Sequence, residues 1–457
     1  MQLVSQNRTR SSLAGLLLLC STASLAAVAP NPILTRGLTP YGSPTSGLST
    51  LNDGNYGNGS WASGGGSWVA YHLKSSPTKV IVAWNNPSYY WSDYVTQTST
   101  THSSCVGGTS LSFPSSYQIL TSSNSTNGTD GTWTSRLTVT GNQVSSRSDV
   151  VSTGGDSWIK MAVSSGTGSL DEFDVFDASN ASDDNWAFLG TSISANTFKA
   201  TPPATDFQKL VEAGPTKNTP AVIKGGVPCI SSTDMSRYIS NYLKFAGSSH
   251  FWAIEMGTND AWGGGAGNVT SFTNAMQLVI DSAKAHGIQP MIARILATDD
   301  VPGFKSAQAS PWQVNQAFLT AIDNLTTKNK LVAGPDLYTY FYNHPTEHTD
   351  GVHPNATGAA SIQRLWAQAM LAALYNTPTS IATKNGPGDL SMVRRADGWA
   401  VTCGQAKCGE ISLISMDGRK TVLDGRESGF LPAGRFKAGV YVLHSTTAGD
   451  RKIFLDR

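Results

Sequence analysis

Trp186-Ala187-Phe188-Leu189-Gly190-Thr191-Ser192 decides how this chain is read. Four apolar residues, two of them aromatic, are halted by a glycine and followed by two hydroxyls. A short continuous apolar run that ends on such a signal reads as a strand buried on both faces. Similar runs recur at 221–224, 251–256, 290–296 and 330–333. Between them lie stretches of helical spacing at 206–213, 234–245, 269–286, 312–327 and 356–375. Strands alternating with helices imply a parallel sheet with both faces covered, over residues 183–377. In open sheets of that kind, ligands bind in the loops beyond the carboxyl ends of the strands. Ser192 is expected there, in a loop that follows the first strand.

Outside this segment the texture differs. Residues 1–29 read as a signal peptide, with Arg8 and Arg10 ahead of a short apolar stretch and small residues Ala26, Ala27 and Ala29 at its end. That stretch is too short for a membrane span. Residues 30–179 carry short strand-like runs broken by Gly, Ser, Asn and Thr, the pattern of a β-sandwich. Residues 378–389 read as a linker, and 390–457 as a small β-domain.

The 457 residues carry a net charge of +1 with only 14% charged residues, so no electrostatic footprint favours nucleic acid or an anionic membrane. Without Cys20 in the leader, Cys105, Cys229, Cys403 and Cys408 remain, an even count that suits an exported chain with disulfides. Cys403 and Cys408 flank a turn and form the favoured bridge. Cys105 and Cys229 either join two domains or stay as thiols.

Two more motifs stand beside the serine. Gly257-Thr258-Asn259-Asp260 follows the apolar run 251–256, where Gly257 permits close backbone approach and Asn259 can aim an amide N–H at a carbonyl oxygen. Asp350-Gly351-Val352-His353-Pro354 supplies an imidazole, the usual base for a serine hydroxyl, and a carboxylate three residues earlier to fix its tautomer. Nucleophile, base, orienting carboxylate and oxyanion donor are what acyl transfer through a serine requires. His344, His348 and His353 with Glu347 and Asp350 offer a rival, metal-binding reading, although their spacing matches no regular helical ligand pair and Pro345 interrupts the segment.

In this order on this scaffold, the motifs resemble those of the SGNH (GDSL-type) hydrolases. The resemblance spans 183–377 and implies a central flavodoxin-like α/β/α domain in a multi-domain chain. The family's serine, glycine, asparagine and histidine fall on Ser192, Gly226, Asn259 and His353, with Asp350 as the third triad member. Ser192 and Gly226 would give backbone N–H groups, and Asn259 its amide, to the oxyanion hole. Gly225 competes with Gly226 for that place. One departure is plain: Thr191 stands where the family has an aspartate.

In the N-terminal segment Asp53-Gly54-Asn55, Trp61, Trp68-Val69, the run 79–84, Tyr117-Gln118-Ile119, Gly131-Thr132-Trp133, Val139-Thr140-Gly141-Asn142 and Trp158-Ile159-Lys160-Met161 resemble a discoidin-like carbohydrate-binding sandwich. The C-terminal segment resembles the sorting or attachment domains of secreted bacterial enzymes. Together these imply a secreted or cell-surface carbohydrate esterase that deacetylates a plant-wall polysaccharide such as xylan, without cofactor or metal. Its partner would be the acetylated polysaccharide, with no nucleic acid and no membrane span. A lipase or general carboxylester hydrolase using the same triad, and a glycan-binding protein without turnover, are the rival readings. Residues 183–377 alone are expected to cleave a small acetyl ester.

Overall fold

The computed structural model describes residues 28–375 and 390–455, apart from 56–58, 60, 93–110, 181–182, 200–206, 265–267, 299–315, 396–397, 404–409, 416–419, 424–428, 433–438 and 446–448. The chain divides into two compact units, 1–377 and 378–457.

The first unit is centred on five parallel strands: β1 (Asn185–Gly190), β2 (Ala221–Gly226), β3 (Phe251–Glu255), β4 (Gln289–Arg294) and β5 (Ala333–Asp336). They lie in the order β2-β1-β3-β4-β5, so the sheet reverses direction of growth at β1. This is the flavodoxin-like order, with its crevice at the carboxyl ends of β1 and β3. Every residue of β1, β2 and β3 is buried, as the unbroken apolar runs require. Helices Val269–Ala285, Gln316–Asn329 and Ala356–Met370 turn their apolar faces to one continuous core with the strands.

Two expectations shift. The run 330–333 is not the fifth strand. The preceding helix ends at Asn329, and Lys330 takes a left-handed conformation (φ 52°), a C-terminal stop that delays the strand to Ala333. The helix expected over 234–245 is broken at Tyr238 (φ −108°, ψ 24°), which divides Ser232–Arg237 from Ile239–Tyr242 and a following 3-10 turn.

The N-terminal segment forms a five-stranded antiparallel sheet, with Trp68–His72, Pro114–Ser122 and Trp158–Gly166 among its strands. A three-stranded sheet of Glu172–Asp177, Lys79–Asn85 and Ser146–Ser152 faces it across a core that includes Val69, Tyr71, Val82, Trp84, Ile119 and Phe173. Lys79–Asn85 is apolar at both parities for a reason. Val80, Val82 and Trp84 face the sandwich core, whereas Ile81 and Ala83 pack with Phe176, Ala178 and Ala221, the first residue of β2. The short sheet thus covers the edge strand of the parallel sheet. Lys224 N donates to Ser146 Oγ at 2.9 Å, and Ser148 Oγ donates to Ser248 O at 2.7 Å. Residues 30–179 and 183–377, separated on sequence grounds, belong to one compact unit because an unpaired parallel edge is buried between them.

The second unit comprises two antiparallel sheets, Leu390–Arg395, Gly398–Cys403 and Gly429–Pro432, and Ile411–Ser415, Lys420–Leu423, Gly439–Ser445 and Gly449–Leu455. Val401, Ile411, Leu413 and Leu443 are buried in it. Cys408 of the favoured Cys403–Cys408 bridge lies outside the described residues, as do the leader and Cys105. Cys229 is engaged in a disulfide. No helix among the described residues is long and apolar enough to cross a membrane.

Candidate active site

In the ladder, Gly190 pairs with Gly226 on one side and with Glu255 on the other. The ends of β1, β2 and β3 therefore converge, and the three motifs meet at that edge. Ser192 does not open a loop, as expected. It begins a helix, Ser192–Lys199. Thr191 precedes the helix and its Oγ1 accepts from Ile193 N at 3.2 Å, as an N-cap hydroxyl does. That placement puts the Ser192 backbone N–H among the unpaired donors of a first helical turn, at the positive end of the helix dipole.

Ser192 Oγ lies 2.9 Å from His353 Nε2, and His353 Nδ1 lies 2.8 Å from Asp350 Oδ2. The Asp350 side chain is over half exposed and that of His353 about one third. Gly351, at φ 81°, makes the turn that lets the carboxylate reach back to the ring. Asp350 Oδ1 also accepts from His353 N at 2.8 Å and Val352 N at 3.1 Å. Partial burial pushes this carboxyl up, but those N–H groups and the neighbouring imidazole outweigh it and hold it below the ordinary carboxylate range. A lowered carboxylate keeps its contribution above its unfolded pKa and loses it only as pH falls through the lower native value. Asp350 is thus held in its charged form at neutral pH. Asp350→Asn is expected to cut the rate on the order of 10²-fold, less than the roughly 10⁴-fold of a buried triad carboxylate, because water reaches this one. Comparison of kcat for the purified variant and the native protein checks it: native turnover in Asp350→Asn would contradict the assignment.

Asn259 sits in the first turn of the helix Thr258–Gly264, after Gly257 at φ 131°. Its Nδ2 donates to Ile230 O at 2.8 Å. One N–H so anchored leaves the amide's second N–H in a fixed direction. The loop carrying Ile230 is itself pinned, since Asp260 accepts from Ser232 N at 3.0 Å through Oδ2. Burial pushes the Asp260 carboxyl up, against the Ser232 hydrogen bonds. Of the two candidate glycines, Gly226 borders the nucleophile helix: a Cβ there would fall 2.2 Å from Ala195 N. A Cβ on Gly225 would instead meet Leu189 and Phe188 O inside the sheet.

The departure at Thr191 has a structural counterpart. Glu255, fully buried at the end of β3, accepts from Thr191 Oγ1 at 2.8 Å, and from Thr191 N and Ser194 Oγ at 3.4 Å. Burial pushes its carboxyl up, and the hydroxyls of Thr191, Ser194 and Thr258 pull it back. An acid from the neighbouring strand thus stands behind the helix Ser192–Lys199. Thr191→Asp, which restores the usual triplet, would set two carboxylates side by side in a buried place. It is expected to cost roughly 2–3 kcal/mol of stability, with Thr191→Ser close to neutral, as thermal melting would show. A higher melting temperature for Thr191→Asp would refute this account of Glu255.

His344 Nδ1 pairs with Tyr340 O at 2.8 Å and stacks on the Tyr340 ring, and His348 Nδ1 pairs with Pro345 O at 3.3 Å. Among the described residues no group of three or more His, Cys, Asp or Glu is placed to hold a metal ion. Sequence reasoning missed Glu255, which looks like the end of an apolar run, and the carbonyl of Ile230. It also missed Tyr89 from the sandwich, whose side chain bonds to Asn196 and which lies near enough to Asp350 to feel its charge.

In sequence, no family profile and no curated protein matches the chain. Solved structures that it resembles include a catalytic mutant of an acetylxylan esterase from Geobacillus stearothermophilus, at 12% identity and a TM-score of 0.34, over 42% of this chain and 94% of that one. A protein described as a GDSL-like lipase from Parabacteroides merdae is similar at 16% identity and a TM-score of 0.34, over 43% of this chain and 97% of that one. An acetyl xylan esterase matches at 19% identity and a TM-score of 0.32, over 42% and 99%. Likeness at that level transfers neither activity nor substrate, so the chemistry of this chain rests on its own side chains.

Proposed function

We propose that this chain is a serine carboxylic-ester hydrolase that removes acetyl groups from a polysaccharide, with an acetylated plant-wall glycan such as xylan as substrate. The observation that carries the hydrolase is the unbroken relay from Asp350 through His353 to Ser192, at 2.8 and 2.9 Å, at the carboxyl edge of the sheet. His353 Nε2 takes the Ser192 proton as Oγ attacks the ester carbonyl carbon. The resulting oxyanion is held by the N–H groups of Ser192 and Gly226 and the amide of Asn259. Collapse expels the alcohol, which receives the proton back from His353. Water, deprotonated by the same imidazole, then releases acetate from Ser192.

Support for a sugar substrate comes from the leader, which implies export, and from the aromatic surface of the sandwich. There Lys160 Nζ lies over the rings of Trp133, at 3.7 Å, and Trp68, at 5.3 Å. The expected result is acetate release from acetylated xylan with little turnover of a long-chain nitrophenyl ester. The reverse preference would make the chain a general lipase, and sugar binding without any turnover would make it a binding protein.

A further inference from the structure

The loop from Asn86 to Ser92 leaves the sandwich and reaches the carboxyl edge of the parallel sheet. It is stitched at many points to the segment 143–146. Asn86 N donates to Ser145 O at 2.9 Å, Ser145 N to Trp91 O at 2.9 Å, Ser145 Oγ to Tyr90 O at 2.8 Å and Ser92 Oγ to Gln143 O at 2.6 Å. Trp91 belongs to the α/β core: its ring lies against Tyr242 and Phe245, and its Nε1 donates to Ser146 O at 2.7 Å. Its backbone N–H donates to Gly226 O at 2.9 Å, at the candidate oxyanion glycine. The loop is thus held at both ends, and what it carries is fixed relative to the site.

It carries Tyr89, half buried and packed edge-on to Tyr90 at 6.5 Å. Tyr89 bonds to the side chain of Asn196. Among the described side chains of the nucleophile helix, only Ser192 and Asn196 are not buried. They are four residues apart, so they share the helix's one open face. Tyr89 therefore stands one turn along from Ser192, near enough to Asp350 to feel its charge. The side is chemically determined. The carbonyl oxygen must point to Gly226 and Asn259, whereas the departing alcohol must lie where His353 can protonate it.

We propose that Tyr89, held by Asn196, is a substrate-binding residue that stacks on the ring of the departing alcohol. The sandwich thereby supplies one wall of the active site. This rests on the esterase reading above and adds to it the leaving-group contact.

Esters of one acid with different alcohols test it, because all pass through the same acetyl-Ser192. A contact to the alcohol alters kcat/KM and leaves hydrolysis of the acyl-enzyme untouched. In the full chain, Tyr89→Ala is expected to lower kcat/KM for para-nitrophenyl acetate about 5- to 10-fold, the worth of one ring stack. For ethyl acetate it should stay within about twofold, with Tyr89→Phe retaining most of the native value on both. The preference for acetyl over butyryl should not move. Equal loss on both esters, or loss on neither, would overturn the proposal. An acetylated xylo-oligosaccharide run alongside separates it from its parent. If the native protein ignores that sugar while the para-nitrophenyl effect persists, the polysaccharide substrate falls and the Tyr89 wall stands. A native protein that cleaves no ester removes both.

Discussion

Ser192→Ala is expected to melt close to the native temperature and to lose ester turnover by roughly 10³-fold or more. The fold has little to lose. Ser192 is the first residue of a helix whose cap is the preceding Thr191, and alanine is a good helix former. The proposed chemistry has everything to lose, because in that mechanism Oγ, 2.9 Å from His353 Nε2, is the attacking atom. What survives should be the modest catalysis that oxyanion donors give to direct attack by water. Native turnover in a purified Ser192→Ala protein would place the nucleophile elsewhere and end the serine mechanism.

Asn259→Ala is expected to lower kcat by about 10²- to 10³-fold with little change in KM. The amide is directed at charge that develops only as the carbonyl becomes tetrahedral, so the bound ester hardly senses its removal. The anchoring bond to Ile230 O gives the prediction a control. Ile230 contributes only a backbone carbonyl to it, so Ile230→Val should leave kcat nearly native while testing the loop's packing. An Asn259→Ala effect confined to KM would make the residue a ground-state contact.

The candidate site residues could be named from sequence because each closes an apolar run or sits in a turn of distinctive composition. Ser192, Asn259, Asp350 and His353 are named in that way, and the structure brings His353 within hydrogen-bonding distance of both Ser192 and Asp350. What could not be read are contacts made across strands. Glu255 gains its partner only through the pairing of β1 with β3, which places it beside Gly190. The helix after Thr191 was missed because its sequence, Ser192-Ile193-Ser194-Ala195-Asn196-Thr197-Phe198-Lys199, is poor in strong helix formers and is held by burial instead. Lys79–Asn85 showed the same limit from the other direction: its apolar run signalled two covered faces, but not that β2 supplies one of them.

In the proposed mechanism the nucleophile opens the helix that follows the first strand of the parallel sheet, and its base lies in the loop before the last long helix, 161 residues later. That helix is followed by Tyr375, whose hydroxyl receives the indole N–H of Trp186 at 3.0 Å and bonds to buried Asp184 at the other end of β1. Synthesis runs from one to the other. While the ribosome is still making the intervening segments, Ser192 is an ordinary alcohol with no proton acceptor beside it. The proposed relay can therefore form only after the loop and the closing helix have been made.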